Sequence, residues 1–151
     1  MQSPANSQLR RLSLLTSEIN AVYHEATLRL GLADSAMIIL YTMCLFDGAC
    51  LLSQIIQLSG LSKQTVNSAL RKLEAGGILY LEAGGGRKKR ACLTREGREL
   101  AQGTALRLME MENEVFSAWT ADEQEAYIQL TQRFLTGLRE KAKALGPPMQ
   151  P

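Results

Sequence analysis

Apolar residues recur with helical spacing through most of the chain, so the sequence predicts a mainly α-helical fold. The first predicted helix runs from about Ser7 to Leu30 and stops at Gly31. Because it is apolar on two sides, we expect it to pack between its own domain and a second copy of the chain. One side carries Leu12, Leu15, Ile19, Val22, Ala26 and Leu30, and the other carries Leu14, Ala21 and Leu28.

The second predicted helix is apolar nearly all round, which is typical of the buried centre of a domain. Asp34 or Ser35 is expected to cap its start, and Asp47-Gly48 to end it. Its apolar run, residues 36–46, is far shorter than the roughly 20 residues that a membrane-spanning helix needs. We therefore predict a core helix, followed by a brief extended connector at residues 50–52.

Two short helices separated by a tight turn follow, and they predict a helix-turn-helix. The first covers residues 53–59, and Ser62 is a suitable N-cap for the second, which extends to Glu74. Val66, Leu70 and Leu73 share one stripe of the second helix, whereas the polar residues lie off that stripe. The helix is therefore expected to be anchored on one side and exposed on the other.

A β-hairpin is predicted next, from strands at residues 78–82 and 90–93. Its loop, residues 83–89, contains three glycines followed by Arg87, Lys88 and Lys89, and Arg90 begins the returning strand. A helix-turn-helix followed by a basic hairpin predicts a winged helix. Adjacent cations repel one another, which favours contact with phosphates or a DNA minor groove over a solvated hairpin tip. The loop lacks the spacing of a nucleotide-binding P-loop.

The C-terminal part of the sequence predicts two helices. Thr94 is expected to cap one long helix that continues to Trp119, and Thr120 with Glu123 forms a capping box for the last helix, which extends to Leu145. We interpret residues 1–151 as a single domain with a winged helix-turn-helix at 33–94. Dimerisation helices are expected at 7–31 and 95–145, and flexible tails at 1–6 and 146–151.

Charge is unevenly distributed, although the net charge of the whole chain is only +2. Between residues 60 and 95 there are eight Lys or Arg against two Glu, so this segment carries +6 and the remainder −4. A basic segment in an otherwise slightly acidic protein is typical of a nucleic-acid-binding face. The first residues show no pattern of a secretory signal, so a cytoplasmic location without membrane association is expected.

Catalytic and metal-binding patterns are not found in the sequence. Cys44, Cys50 and Cys92 match neither a C-x-x-C pair nor a zinc framework, so we expect buried free thiols, no metal and no cofactor. Cys50, just outside a predicted helix, is the remaining candidate for a redox-sensing thiol. With a single histidine, His24, and no nucleophile motif, the sequence argues against an enzyme.

The order of elements and several short motifs resemble the MarR (multiple antibiotic resistance) family of transcriptional regulators. The resemblance covers about residues 9–145. It is carried by Leu30-Gly-Leu32, Gly60-Leu-Ser-Lys-Gln-Thr-Val66, Leu70-Arg-Lys-Leu-Glu74, Gly77-Ile78 and Leu93-Thr-Arg-Glu-Gly-Arg-Glu-Leu100. The family wing commonly carries Asp-x-Arg. Here Gly85 stands at the Asp position and Arg87 at the Arg position, so the Arg lacks the residue that usually fixes it.

The resemblance implies a homodimeric regulator, expected to be a repressor, whose winged helices bind a palindromic operator in double-stranded DNA. The helix after Ser62 would enter the major groove and the wing would contact the backbone or minor groove. The expected DNA-binding residues are Ser62, Lys63, Gln64, Thr65, Asn67, Ser68, Arg71, Lys72, Arg87, Lys88, Lys89 and Arg90.

Many relatives bind a small phenolic or amphipathic effector between the dimerisation helices and the winged helix. The residues that could line such a pocket here are Tyr23, His24, Met37, Tyr41 and Met43, although Met and Tyr at helical spacing also fit a core. An alternative function is a winged helix that binds another protein without sequence-specific DNA binding, because a fold does not dictate a function.

Overall fold

The computed structural model describes residues 6–83 and 89–148. Within them the chain is mainly α-helical with a small antiparallel sheet, which confirms the predicted fold class. The elements in chain order are α1 (Ser7–Arg29), α2 (Asp34–Cys44), β1 (Ala49–Leu51), α3 (Leu52–Ser59), α4 (Lys63–Ala75), β2 (Leu79–Ala83), β3 (Lys89–Leu93), α5 (Arg95–Gly103), α6 (Ala105–Ser117) and α7 (Ala121–Lys143).

The chain divides into two compact units, Met1–Glu110 and Met111–Pro151. The first unit contains the helices and strands of the winged helix, together with α1 and α5. The second contains α7 and a cluster of three aromatic rings at its start. The rings of Phe116, Trp119 and Tyr127 lie with centroids 5.3–6.3 Å apart, so this turn is stabilised by ring contacts within its own unit.

Side-chain caps fix the start of several helices. The hydroxyls of Ser62, Thr94 and Thr120 each accept a hydrogen bond from a backbone N–H of the first turn, as predicted. The predicted cap of α2 is wrong, because Ala33 occupies the N-cap position without a side-chain hydrogen bond. Asp34 is instead the first residue of α2, and its carboxylate lies 2.6 Å from Nδ1 of His24.

The sheet has three antiparallel strands in the order β1-β3-β2. The predicted hairpin is formed by β2 and β3, with Tyr80 opposite Cys92 and Leu81 opposite Ala91. The predicted extended connector is part of the sheet, because β1 pairs with the other edge of β3. The returning strand of the hairpin is therefore the centre of the sheet.

Helix α2 lies at the centre of the core, as its apolar pattern predicts. Met37, Ile39, Leu40 and Met43 of α2 are at most 2% exposed. They belong to one cluster that also includes buried residues of α3, α4, the sheet, α5 and α6, namely Ile55, Val66, Leu70, Leu79, Leu93, Ala101 and Leu108. The helix-turn-helix is thus attached to α2 by side chains that are removed from water.

The single long helix predicted after Thr94 is wrong. The helix is interrupted at Thr104, whose backbone has φ −133° and ψ −85°. Its hydroxyl donates to the carbonyl of Leu100 at 2.6 Å, and α6 starts at Ala105. Threonine is β-branched and offers the backbone this local hydrogen bond, so it suits an interruption of the helix. The apolar pattern continues on both sides of Thr104 and therefore did not reveal the interruption.

The first and last long helices leave most of their apolar residues exposed. Thr27 is the only buried residue of α1, and α7 has none. In α1 the exposed side chains include Leu12, Leu15, Ile19 and Val22 at 45–58%. Among the described residues, no single helix is long and apolar enough to span a membrane. Helices α1 and α2 together have the length and apolar composition of a span, but they are bent by 92° relative to each other.

Candidate nucleic-acid interface

The candidate interface is organised around α4, which is anchored by one apolar face. Val66, Ala69, Leu70 and Leu73 are 0–8% exposed and belong to the core. The hydroxyl of Ser62 accepts from the backbone N–H of Thr65 at 3.1 Å, which fixes the start of the helix. Both features follow from the sequence, because the apolar residues share one stripe and a serine precedes it.

The opposite face of α4 is polar. Its side chains are exposed apart from Asn67, which is partly buried, and none forms an ion pair within the described part of the chain. Two rows run along this face with a spacing of four residues. One row contains Lys63, Asn67 and Arg71, and the other contains Gln64, Ser68 and Lys72.

The two rows differ in their surroundings. The row of Gln64, Ser68 and Lys72, together with Thr65, lines a groove of about 490 Å³ beside the start of α2. Ser35 of α2 lines the same groove, although no pattern in the sequence indicated it as a candidate residue. The row of Lys63, Asn67 and Arg71 does not line this groove. Residues that the sequence groups together therefore lie in two environments.

The wing contributes cations from its described stem. Lys89 and Arg90 are exposed at the start of β3, and Arg90 lies opposite Glu82 of β2 and Leu51 of β1. The predicted contacts of Arg87 and Lys88 fall outside the described residues. The structure thus places two of the four wing cations on the stem of the hairpin, next to a carboxylate that offsets part of their charge.

Thr94 connects the wing to the helices on either side. Its hydroxyl lies 2.6 Å from the carbonyl oxygen of Gly77 and 3.1 Å from that of Ile78, both in the turn between α4 and β2. The hydroxyl oxygen of Thr94 also accepts a hydrogen bond from the backbone N–H of Gly97 in α5 at 3.0 Å. One side chain therefore fixes the end of α4, the end of β3 and the start of α5 relative to one another.

The three cysteines are buried or partly buried free thiols. Cys50 is 2% exposed, and burial together with the nearby Cys92 raises the pKa of its thiol to about 11. Burial also raises the pKa of Cys44, and that of Cys92, whose thiol additionally donates to Glu82 at 3.4 Å. Because a reactive cysteine needs exposure and a lowered pKa, the burial and raised pKa of Cys50 do not favour the suggestion that it senses redox state.

Metal binding also lacks a candidate, since no three His, Cys, Asp or Glu side chains come together among the residues described. The five residues predicted for an effector pocket are distributed between core and surface. Met37 and Met43 are buried, Tyr41 is partly buried, and Tyr23 and His24 are exposed. None of the cavities described here is lined by any of them. Their pocket role stays a prediction.

Comparison with known proteins identifies the winged-helix region. A sequence model of the MarR family matches residues 30–90, which confirms the resemblance noted in the sequence. No curated protein gives a significant match. The match spans the helix-turn-helix, β2 and the start of β3.

Solved structures show the same fold over nearly the whole chain. NMB1585, a MarR family regulator from Neisseria meningitidis, is 23% identical with a TM-score of 0.76 and covers 92% of this chain and 98% of its own. The PcaV regulator from Streptomyces coelicolor, solved with its natural ligand, is 17% identical with a TM-score of 0.64 over 89% and 98%. Bordetella bronchiseptica BpsR, whose DNA binding is regulated by 6-hydroxynicotinic acid, is 19% identical with a TM-score of 0.61 over 88% and 99%.

Proposed function

Because a model of the MarR family matches residues 30–90, we propose that the protein is a transcriptional regulator that binds a palindromic operator as a homodimer. Helix α4 enters the major groove, and the wing contacts the adjacent backbone or minor groove. The observation that carries this proposal is α4 itself. The side chains of its apolar face are at most 8% exposed. Its cations Lys63, Arg71 and Lys72 are exposed, and none of them has an ionic partner among the described residues.

The two rows of α4 suggest a division of roles. Arg71 belongs to the row outside the groove and has a fork of donors that suits a guanine edge, so we assign it to base recognition. Lys72, Ser68 and Ser35 share the groove beside α2. We assign this group, together with Lys89 and Arg90, to the phosphate backbone, where charge and hydroxyl donors stabilise binding without reading sequence.

The homodimer is supported by the exposed apolar surface of α1 and, independently, by that of α7. Helix α1 exposes leucines on both of its apolar sides, for example Leu15 at 55% and Leu14 at 59%. Helix α7 exposes apolar side chains along its length, including Tyr127, Phe134 and Leu138 at 49–52%. Apolar surface of this extent marks an interaction site, and a second copy of the chain supplies the matching apolar helices.

We further propose that the protein is a repressor released from DNA by a small amphipathic effector. The likeness to BpsR and PcaV supports an effector, because the first is regulated by 6-hydroxynicotinic acid and the second was solved with a natural ligand. The repressor role follows the resemblance to the family. In this function the protein acts by binding, and no catalytic step is assigned to it.

DNA binding is tested by fluorescence anisotropy with a random-sequence duplex over a range of salt concentrations. The affinity should fall steeply, and each neutralised phosphate contributes a log–log slope of about −0.9. A flat response would instead favour a protein-interaction module. Selection of bound duplexes from a random library then tests the operator, which should be a palindrome with half-sites about 10–10.5 bp apart or a multiple of that spacing.

A further inference from the structure

Two consecutive glycines connect α4 to the wing. Gly76 is the C-cap of α4, and Gly77 follows with φ +71°, a backbone conformation that favours glycine. A Cβ on Gly77 would meet no atom within 4 Å beyond its chain neighbours, so packing does not hold this position. The orientation of the hairpin relative to α4 therefore depends on the hydrogen bonds of this turn.

The turn is bonded on two sides. Its N–H groups point back to α4, where Gly77 donates to the carbonyl of Glu74 at 3.0 Å. Ile78 likewise donates to the carbonyl of Leu73 at 2.9 Å. Its carbonyl groups face Thr94, the residue that follows β3. The backbone N–H of Thr94 donates to the carbonyl of Ile78 at 3.0 Å, so the hydroxyl proton is left for the closer carbonyl oxygen of Gly77, at 2.6 Å.

The hydroxyl of Thr94 connects this turn to a helix that is itself fixed to the core. Its oxygen accepts from the backbone N–H of Gly97 in α5, and Ala101 of α5 is 2% exposed within the core cluster. A methyl group in place of the hydroxyl would keep the shape of the side chain. It would remove both the donor to Gly77 and the acceptor for Gly97.

The cations of the wing stem lie beyond this turn. Arg90 precedes Thr94 by four residues on β3, about 13 Å along the strand at roughly 3.3 Å per residue. The pairing of β3 with β1 fixes the strand relative to α3, whereas the bonds of Thr94 fix it relative to the end of α4. A rotation of about 10° at the turn would displace Arg90 by roughly 2 Å, which is most of the length of a hydrogen bond of about 3 Å.

We propose that Thr94 is a positioning residue for DNA binding. Its hydroxyl holds the turn of two glycines, and it thereby keeps the wing stem at the angle to α4 at which both reach one duplex together. Thr94 acts through the backbone carbonyl of Gly77 and not through a contact of its own with DNA. This role rests on the proposed function, because it concerns the geometry in which DNA is bound.

The first test compares Thr94→Val, which keeps the shape of the side chain, with Thr94→Ser, which keeps its hydroxyl. Anisotropy with a random duplex is measured over a range of salt concentrations, under conditions in which circular dichroism shows each variant to be folded. Thr94→Val should weaken binding at least about threefold and make the log–log salt slope less steep by about 1–2, since each of the two stem cations contributes about 0.9. Thr94→Ser should stay within about twofold of the wild type, because it retains the hydroxyl bond.

Thr104→Val is the matched control for a loss of stability. Thr104 is 4% exposed, and its hydroxyl donates to the carbonyl of Leu100 at 2.6 Å in the same compact unit. Its replacement removes a bond of the same length that does not involve the turn of two glycines. The salt slope of Thr104→Val should therefore equal that of the wild type, even where its urea midpoint falls.

A double-mutant cycle tests whether Thr94 acts through the stem cations. Arg90→Ala should weaken DNA binding of the wild-type protein and cause little further loss in Thr94→Val, because the two changes remove the same contact. The proposal is overturned if Thr94→Val loses stability but keeps the wild-type salt slope. It is equally overturned if Arg90→Ala has its full effect in the Thr94→Val background.

Residual dipolar couplings of the backbone N–H groups report the orientation of the hairpin in the free protein. In the wild-type protein the couplings of α4, β2 and β3 should fit one alignment tensor, and in Thr94→Val those of the strands should be reduced relative to α4. Wild-type couplings that need a separate tensor for the hairpin overturn the proposal, and this outcome needs no variant. If the couplings behave as expected but the wild-type protein binds no duplex, the proposed function fails and the orientation of the wing by Thr94 stands.

Discussion

Gly97 of α5 packs directly on the carbonyl group of Ile78. A Cβ added to Gly97 would lie 1.9 Å from the carbonyl oxygen of Ile78 and 2.9 Å from its carbonyl carbon. No side-chain movement relieves such a contact, because both atoms belong to the backbone. The start of α5 can therefore approach the end of the helix-turn-helix only with glycine at this position.

Replacement of this glycine should destabilise the protein. We expect Gly97→Ala to lower the free energy of unfolding by at least about 2 kcal/mol, since overpacking must shift one backbone segment away from the other. Gly103→Ala is the control, because a Cβ there has no neighbour within 4 Å and alanine favours a helix. Urea denaturation measures both changes. Equal stability of the two variants would contradict the close packing.

Helix α4 and the stem of the wing are predicted to have different effects on DNA binding. Arg71→Ala should relax discrimination at one base position of the selected operator, at a cost of about 1–3 kcal/mol for the preferred base. Arg90→Ala should weaken binding to all sequences and reduce the log–log salt slope by about 1. Anisotropy with the operator and its single-base variants separates the two outcomes.

A matched control for these variants is Arg29→Ala. Arg29 is also exposed, but it pairs with Glu25 in α1 at 2.6 Å and belongs to neither row. We expect its removal to leave both discrimination and salt slope within error of the wild type. If Arg71→Ala and Arg90→Ala weakened all sequences equally, the assignment of Arg71 to base recognition would be wrong.

The proposed homodimer predicts that a charge on α1 dissociates the protein. Leu15 is 55% exposed in the single chain, and Leu15→Glu should convert a dimer into a monomer at micromolar concentration because a buried carboxylate would lack a partner. Leu58→Glu on α3 is a close control, as Leu58 is equally apolar and 54% exposed. Light scattering gives the mass of each. A monomeric wild-type protein would refute the dimer.

The buried thiol of Cys50 predicts a loss of stability at alkaline pH. Its pKa is raised from 9.0 to about 11, so the folded state retains the proton more strongly than the unfolded state. The stabilisation of the folded state by this protonated thiol is fully present below pH 9 and is lost as pH rises towards 11. The free energy of unfolding should fall by at most about 1.4 kcal/mol per pH unit in this range. Urea denaturation across this range should show a smaller decrease for Cys50→Ala than for the wild type.

Much of the winged helix could be predicted from the sequence because its signals are local. A serine before an amphipathic stripe defines α4, and two short apolar runs around a glycine-rich loop define the hairpin. The interruption at Thr104 could not be predicted in this way, since the apolar pattern continues on both sides of it. The pairing of β1 with β3 was missed for another reason, because it joins residues about 40 positions apart.

The residues of the candidate site stay a prediction, and their arrangement could be predicted only in part. Sequence spacing places Gln64, Ser68 and Lys72 on one row, yet only the position of α2 shows that Ser35 lies beside them. The effector pocket illustrates the opposite difficulty. Met37 and Met43 have the same helical spacing whether they line a cavity or fill a core, and the structure places both in the core.

The exposed rows of α4 contribute little to the fold that presents them. Beyond the hydrogen bond between the hydroxyls of Ser62 and Thr65, the helix is attached through its apolar face and its cap. Substitution of Arg71, which is assigned to base recognition, should therefore change stability by no more than about 0.5 kcal/mol. For the proposed regulator, the preferred DNA sequence can thus diverge during evolution by single substitutions on α4, with no compensating change in the scaffold.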